Sequence, residues 1–323
     1  MLYFNDWCTL HYYPKEIKIE SHVTQDDIVR ITNTDISSIK QNAVNQSIEY
    51  VGNNPAICLS GGIDSQSVLS IFDKCNVPYT AVTFDFGNNL NARELVDAQS
   101  FATLYNIPLK VIKLDIMRFL LRDLDEFSKK YKIISPQFAV HAYFLETIKL
   151  LGYSGAVLGG NGFIVEKLSM RFGLSDAQLL DIENYSKISK FNVIPSFLSA
   201  DKDLCILLAM NTPLVAAENK MKLIFDPVDR VLVSDSIISE ADRYASKIKS
   251  YQNLNCKLKP QTIKKTGFEE IKNFYNTQQC NVWAFEKDFR FPLRSRIPEY
   301  LIKTVVDNAV EKSIIAYSSK LDI

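Results

Sequence analysis

The chain has 323 residues, 47% of them hydrophobic, with 37 Lys+Arg against 37 Asp+Glu and a formal net charge of zero. That length and apolar content suit one large folded unit or two smaller ones, and the balanced charge removes any global attraction to nucleic acid or to an anionic membrane surface. No apolar run reaches the length of a membrane span, and Met1-Leu2-Tyr3-Phe4-Asn5-Asp6 lacks a secretory pattern, so a cytoplasmic location is expected.

Residues 1–34 read as a small β segment, with Leu2-Tyr3-Phe4, Leu10-His11-Tyr12-Tyr13 and Ile17-Lys18-Ile19 as short strands. Asp35-Ile36-Ser37-Ser38 offers a helix start. Ile39, Ala43, Ile48 and Val51 then recur near helical spacing, and Gly52-Asn53-Asn54-Pro55 stops the helix. A buried strand is expected at 56–59, and a helix from about 64 carries Val68, Leu69, Phe72 and Cys75 on one face. Val77-Pro78 breaks it. Residues 79–84 read as a second strand, 92–105 as a helix and 109–114 as a third strand. Pro136 suits the first position of a helix striped by Val140, Phe144, Ile148 and Leu151 and closed by Gly152. A strand at 156–158 ends at Gly159-Gly160-Asn161-Gly162.

Strands alternating with helices of this length predict an α/β fold, a parallel sheet with helices on both faces. Beyond 165 the alternation fades, and 168–185, 204–210, 227–244 and 298–310 look helical. The expected division is therefore a β segment at 1–34, an α/β nucleotide-binding unit at 35–165 and a mostly helical region at 166–323. Ligands in parallel sheets sit at strand carboxyl ends. The glycine turns at 60–62 and 159–162 both fall there and are expected to line one cleft.

The chemistry concentrates at 56–65, A-I-C-L-S-G-G-I-D-S. An apolar strand running into two glycines and then a helix is a physical recipe for holding phosphate. Glycine admits positive φ and lets an anion approach the backbone. The first amides of the following helix have no internal partner, and the helix dipole adds partial positive charge there. Ser60 and Ser65 add hydroxyls. Asp64 makes a poor phosphate neighbour unless a cation lies between them, and Mg²⁺ takes hard oxygen ligands of this kind. No Walker A lysine loop and no G-x-G-x-x-G turn follows this strand. The six cysteines form no C-x-x-C pair, and the three histidines, His11, His22 and His141, are scattered, so no structural zinc site is expected. Cys58 and Cys75 read as small core residues.

S-G-G-x-D-S at Ser60 to Ser65 resembles the PP-motif of the N-type ATP pyrophosphatases, a superfamily that includes asparagine, argininosuccinate, GMP and NAD synthetases and tRNA-modifying enzymes. The asparagine-synthetase branch is the most similar. Asn91-Ala92-Arg93-Glu94 resembles its acidic start of the helix after the second strand, and 285–293, F-E-K-D-F-R-F-P-L, resembles its C-terminal segment. The resemblance implies a HUP-type fold with ATP and Mg²⁺ as cofactors. It implies ATP contacts from Leu59, Ser60, Gly61, Gly62, Asp64 and Ser65, with backbone of Val82 and Phe84 against adenine and Gly159 and Gly160 across the cleft. Asp64 is then the metal ligand, and Asp64, Lys287 and Arg290 are the catalytic candidates.

Two departures accompany the resemblance. The family's acidic G-D-G-A-D-E turn is matched here by Gly160-Asn161-Gly162-Phe163-Ile164-Val165, and Arg294 replaces an expected aspartate. Residues 1–34 cannot form a glutamine-hydrolysing domain, and Leu2 stands where its nucleophilic cysteine would, so the nitrogen is expected from free ammonia, a separate amine donor or the substrate itself. The implied activity is adenylation of a small-molecule carboxylate or amide, with release of pyrophosphate and capture by a nitrogen nucleophile. The alternatives are a nucleotide- or tRNA-modifying enzyme using the same loop, or a nucleotide-binding protein without catalysis. Neither a membrane nor nucleic acid is indicated as a partner, and oligomerisation is left open.

Overall fold

A computed structural model describes residues 21–22, 24–133, 136–159, 163–166, 169–172, 176–210, 222–224, 232–233, 236–237 and 240–260. Its centre is a five-stranded parallel sheet: β1 (Pro55–Cys58), β2 (Thr80–Asp85), β3 (Leu109–Lys113), β4 (Gly155–Val157) and β5 (Asn192–Ile194). The strand order is β3-β2-β1-β4-β5, and every pair is parallel. From β1 the chain first builds outward through β2 to β3, then returns to the other side of β1 to lay down β4 and β5. The order therefore reverses between β1 and β4, the point where open parallel sheets place ligands at the strand carboxyl ends.

The helices follow from capping and apolar stripes. α1 (Gln25–Thr32) starts at a capping box in which the Asp27 amide donates to Thr24 Oγ1 at 3.1 Å and the Thr24 amide donates to Asp27 Oδ2 at 2.9 Å. α2 (Ile36–Val51) is capped by the Asp35 carboxylate, which accepts from the Ser38 amide at 3.0 Å, and it ends at Gly52 with φ +87°. α3 (Ile63–Lys74) fills the core with Val68, Leu69 and Phe72. α4 (Ala92–Leu104) covers β2 with Ala98, Phe101 and Ala102 buried. After β3 a helical stretch widens through a π turn at Phe119–Asp123 into α5 (Leu124–Tyr131). α6 (Pro136–Leu150), α7 (Asp176–Ser189), α8 (Lys202–Met210) and α9 (Glu240–Asn253) complete the described helices. α2 packs on α3, whereas α6 packs on α7 and β4. Right-handed crossovers put these two groups on opposite faces of the sheet. No helix among the described residues is long and apolar enough to cross a membrane.

Three expectations need correction. Residues 25–32 form a helix, not part of a β segment, because the Thr24–Asp27 box nucleates one. The sheet does not end near residue 165: β5 pairs with β4 through Ala156 and Val193 and adds a fifth strand. The stretch 168–185 is not helical throughout, because Ser169–Phe172 is strand. Phe163–Glu166 pairs antiparallel with Ser169–Phe172 and Lys222–Ile224, and Ser21–His22 joins the far edge of that second sheet. Leu232–Val233 and Ser236–Ile237 form a further small pair inside the range expected to be helical at 227–244, and the helix described there starts at Glu240. The expected strands before 21 and the expected helix at 298–310 lie outside the described residues.

His141 gives a test of α6. Its ring lies against Phe138 and Phe144 at centroid separations of 6.3 and 6.0 Å, and burial lowers its pKa to about 4. The folded protein therefore binds this proton less readily than the unfolded chain. The stability of the neutral form is complete above about pH 6.5 and declines as pH falls toward 4, by up to roughly 3 kcal/mol. Urea midpoints between pH 7.5 and 4.5 are expected to fall for the natural protein, with a shallower fall for His141→Phe.

Candidate nucleotide-binding site

The candidate site is built where β1 stops. Leu59, only 2% exposed, extends the strand, and its amide donates to the Val82 carbonyl at 2.8 Å. Gly61 then takes φ +81°, a left-handed conformation, and presses against the start of α4. A Cβ built on Gly61 would lie 2.8 Å from the Ala98 nitrogen and 3.0 Å from the Glu94 carbonyl oxygen. Gly62 is the N-cap of α3, and no side chain caps the helix there. The amides of the first turn, at Ile63, Asp64 and Ser65, thus open at the carboxyl end of the central strand.

Hydroxyls shape the turn from within. Ser65 Oγ donates to the Gly62 carbonyl at 2.9 Å and accepts from the Ser60 amide at 3.1 Å. Ser60 Oγ lies 3.1 Å from Ser65 Oγ, and Ser60 itself is exposed. The Leu59 amide is thus engaged in the sheet and the Ser60 amide in the turn. Ser65, 4% exposed, braces the loop from within.

The structure brings Gly159 to this loop. A Cβ there would lie 3.2 Å from Ser65 Cα and Cβ, so glycine is what lets the end of β4 close onto the first turn of α3. Gly160 lies outside the described residues, as do Lys287 and Arg290. Of the next turn, Phe163–Glu166 is strand, so Ile164 and Val165 belong to a ladder and not to a loop shaped like the family's acidic turn.

Val82 and Phe84 sit on β2 beside β1, as expected, but their carbonyls have partners within the protein. Val82 accepts from Leu59, and Phe84 accepts from Asn91 Nδ2 at 2.8 Å. Asn91 Oδ1 in turn accepts from the Phe86 amide at 3.0 Å. Buried Asn91 ties off the end of β2 and stands at the N-cap of α4 without a side-chain capping bond. Asp85 Oδ1 accepts from the Gly87 amide at 2.9 Å, so Asp85 shapes the loop that follows. On the opposite side of β2, Phe84 and Phe86 both stack on Phe144, with centroids 4.6 and 5.2 Å apart.

Asp64, half-buried in the first turn of α3, accepts a hydrogen bond at Oδ1 from the hydroxyl of Tyr251. Tyr251 is fully buried at the end of α9, and burial, with the Asp64 charge beside it, pushes its pKa well above that of an ordinary tyrosine. The chain then crosses α3. Ser70 Oγ accepts from the Lys257 amide at 2.6 Å, and Lys257 Nζ pairs with Asp73 at 2.8 Å. Gln66 accepts from the Lys259 amide at 2.7 Å and donates to the Lys259 carbonyl at 3.0 Å and the Gly61 carbonyl at 2.6 Å. None of this is visible in local sequence pattern, because the partners lie far apart along the chain.

Among the described residues no group of three or more His, Cys, Asp and Glu side chains forms a cage for a metal ion. Asp64 alone fits Mg²⁺ of the kind that nucleotides carry, which uses one or two carboxylates, phosphate oxygens and water. Three described thiols are unsuited to nucleophilic work: burial pushes Cys58 and Cys256 up to about 12 and raises Cys75.

Residues 55–128 match the family model "Queuosine biosynthesis protein QueC", a segment that runs from the first residue of β1 into α5. No curated protein matches the chain significantly. Among solved structures, NMN synthetase from Francisella tularensis is similar at 21% identity and a TM-score of 0.30, over 40% of this chain and 56% of that one. NH3-dependent NAD synthetase from Campylobacter jejuni subsp. jejuni NCTC 11168 is similar at 20% identity and a TM-score of 0.29, over 40% of this chain and 58% of that one. This chain thus spans little more than half the length of either. The segment matched by the family model carries the glycine turn and its helix, and it supports the N-type ATP pyrophosphatase superfamily for this part of the chain.

Proposed function

We propose that the chain is an ATP-dependent adenylating enzyme that cleaves ATP to AMP and pyrophosphate. One observation carries the reading. An uncapped helix N-terminus follows a glycine turn at the carboxyl end of the central strand, beside the point where strand order reverses. Backbone amides from Gly61 onward hold the phosphates, and Ser60, the exposed hydroxyl of the turn, donates to them. Asp64 would hold Mg²⁺, which when bound neutralises phosphate charge. An oxygen of the acceptor attacks the α-phosphorus, its bond forming as the bond to pyrophosphate breaks. The loop's contribution is positioning and charge stabilisation. Lys287 and Arg290 are the proposed cations for the departing pyrophosphate.

For the acceptor, the reading is a small-molecule carboxylate or amide whose adenylate is captured by a nitrogen nucleophile, in the manner of asparagine synthetase. A second reading, a nucleotide-modifying enzyme of queuosine biosynthesis, is favoured by the family model that matches 55–128. The protein is read as cytoplasmic. The test is pyrophosphate and AMP release from MgATP in the presence of panels of small carboxylates with ammonia, and separately of modified purines. Stoichiometric AMP and pyrophosphate are expected with one panel. ATP binding without turnover in both would leave a nucleotide-binding protein without catalysis, and no ATP binding would remove the proposal.

A further inference from the structure

We propose that Tyr251 is a positioning residue for Asp64: it draws the carboxylate away from the open amides of α3 and so keeps them available to phosphate. The inference rests on the nucleotide-binding reading above and extends it to a residue of α9. An aspartate in the first turn of a helix has orphan amides within reach, and an acidic side chain there is drawn to them by hydrogen bonding and by the helix dipole. Left to itself, Asp64 would compete with phosphate for the same N–H groups. The N-cap of α3, Gly62, brings no side-chain cap of its own, and Asp64 Oδ1 accepts from Tyr251.

Tyr251 is itself held in place. Its carbonyl accepts from the Cys256 amide at 2.9 Å as the chain turns through Asn255, whose φ is +55°. Lys40 Nζ donates to the Leu254 carbonyl at 2.9 Å, and Lys74 Nζ bonds the Asn255 carbonyl. Beyond the turn, Lys259 is paired to Gln66, which also bonds the Gly61 carbonyl. The segment 251–259 therefore fixes two parts of the loop at once, the glycine peptide through Gln66 and the carboxylate through Tyr251. A tyrosine that only filled the core would have no need of an acidic partner 187 positions away.

The test is a double-mutant cycle on nucleotide affinity, with MgATP as the calorimetric probe. Tyr251→Phe removes one hydroxyl and keeps the ring. It is expected to weaken MgATP about tenfold in the natural background and less than twofold in an Asp64→Ala background, where no acceptor is left to turn onto the amides. Equal losses in both backgrounds would mean a purely structural tyrosine and overturn the proposal. Should the natural protein bind no adenine nucleotide, the functional reading fails separately. The positioning role is then decided without ligand, by hydrogen exchange at the amides of residues 63–65. Slower exchange in Tyr251→Phe, as the carboxylate turns to cap them, supports it; unchanged or faster exchange overturns it.

Discussion

Replacing Gly61 by alanine is expected to cost about 3 kcal/mol of stability and to abolish measurable MgATP binding. Two physical terms act together. At φ +81° a Cβ meets its own backbone, a strain of roughly 1–2 kcal/mol for a non-glycine residue. The same Cβ would sit 2.8 Å from the Ala98 nitrogen and 3.0 Å from the Glu94 carbonyl oxygen, backbone atoms of α4 that cannot swing aside. The loop must lift from α4, and with it the Gly61 carbonyl that Gln66 holds. Gly62 is the control. Its φ of −70° suits any residue, and a Cβ there meets only Ser60 Oγ, at 3.5 Å. Gly62→Ala is expected to change stability by less than about 1 kcal/mol, yet to weaken nucleotide binding by placing a methyl group at the mouth of the loop. Urea midpoints and MgATP calorimetry on the two variants separate the roles. A Gly61→Ala protein as stable as the natural one would contradict the packing of the loop on α4.

The same contrast marks what the sequence made legible. Strand, glycine turn and helix are all local signals, and they predicted β1, the turn and α3 to within a residue. The Asp35 cap, Gly52 and Pro136 likewise marked helix ends where the structure has them. Features that depend on distant partners did not show. β5 has only three residues and is a strand because β4 lies beside it. The second sheet joins residues 21–22, 163–172 and 222–224, which no window of local periodicity can connect. Within the loop, the pattern S-G-G-x-D-S does not reveal which amides are already engaged. Pairing with β2 takes that of Leu59, and the brace from Ser65 takes that of Ser60. Asn91 reads as an ordinary helix start, yet its side chain bonds Phe84 and Phe86 across the strand end. Tyr251 carries no motif at all, and only its hydrogen bond to Asp64 gives it meaning.

Asp64→Asn is the second large effect, and it separates fold from chemistry. Asparagine keeps an oxygen that can accept from Tyr251, so stability is expected to change by no more than about 1 kcal/mol. Asp64→Ala removes that acceptor from a tyrosine buried to 0% exposure, and a further cost of roughly 1–3 kcal/mol follows. Both substitutions remove the negative charge proposed to hold Mg²⁺. Pyrophosphate release from MgATP is therefore expected to fall by about 100- to 1,000-fold in each, the scale of losing one group that stabilises transition-state charge. Metal-free ATP should respond in the opposite sense. Without the metal, Asp64 repels the phosphates across the first turn of α3, so Asp64→Asn should bind metal-free ATP at least as tightly as the natural protein does. Calorimetry with and without EDTA reads both directions on one sample. If metal-free ATP weakened in parallel with MgATP, Asp64 would be shaping the loop and not carrying the ion, and the site of the metal would have to be sought elsewhere in the chain.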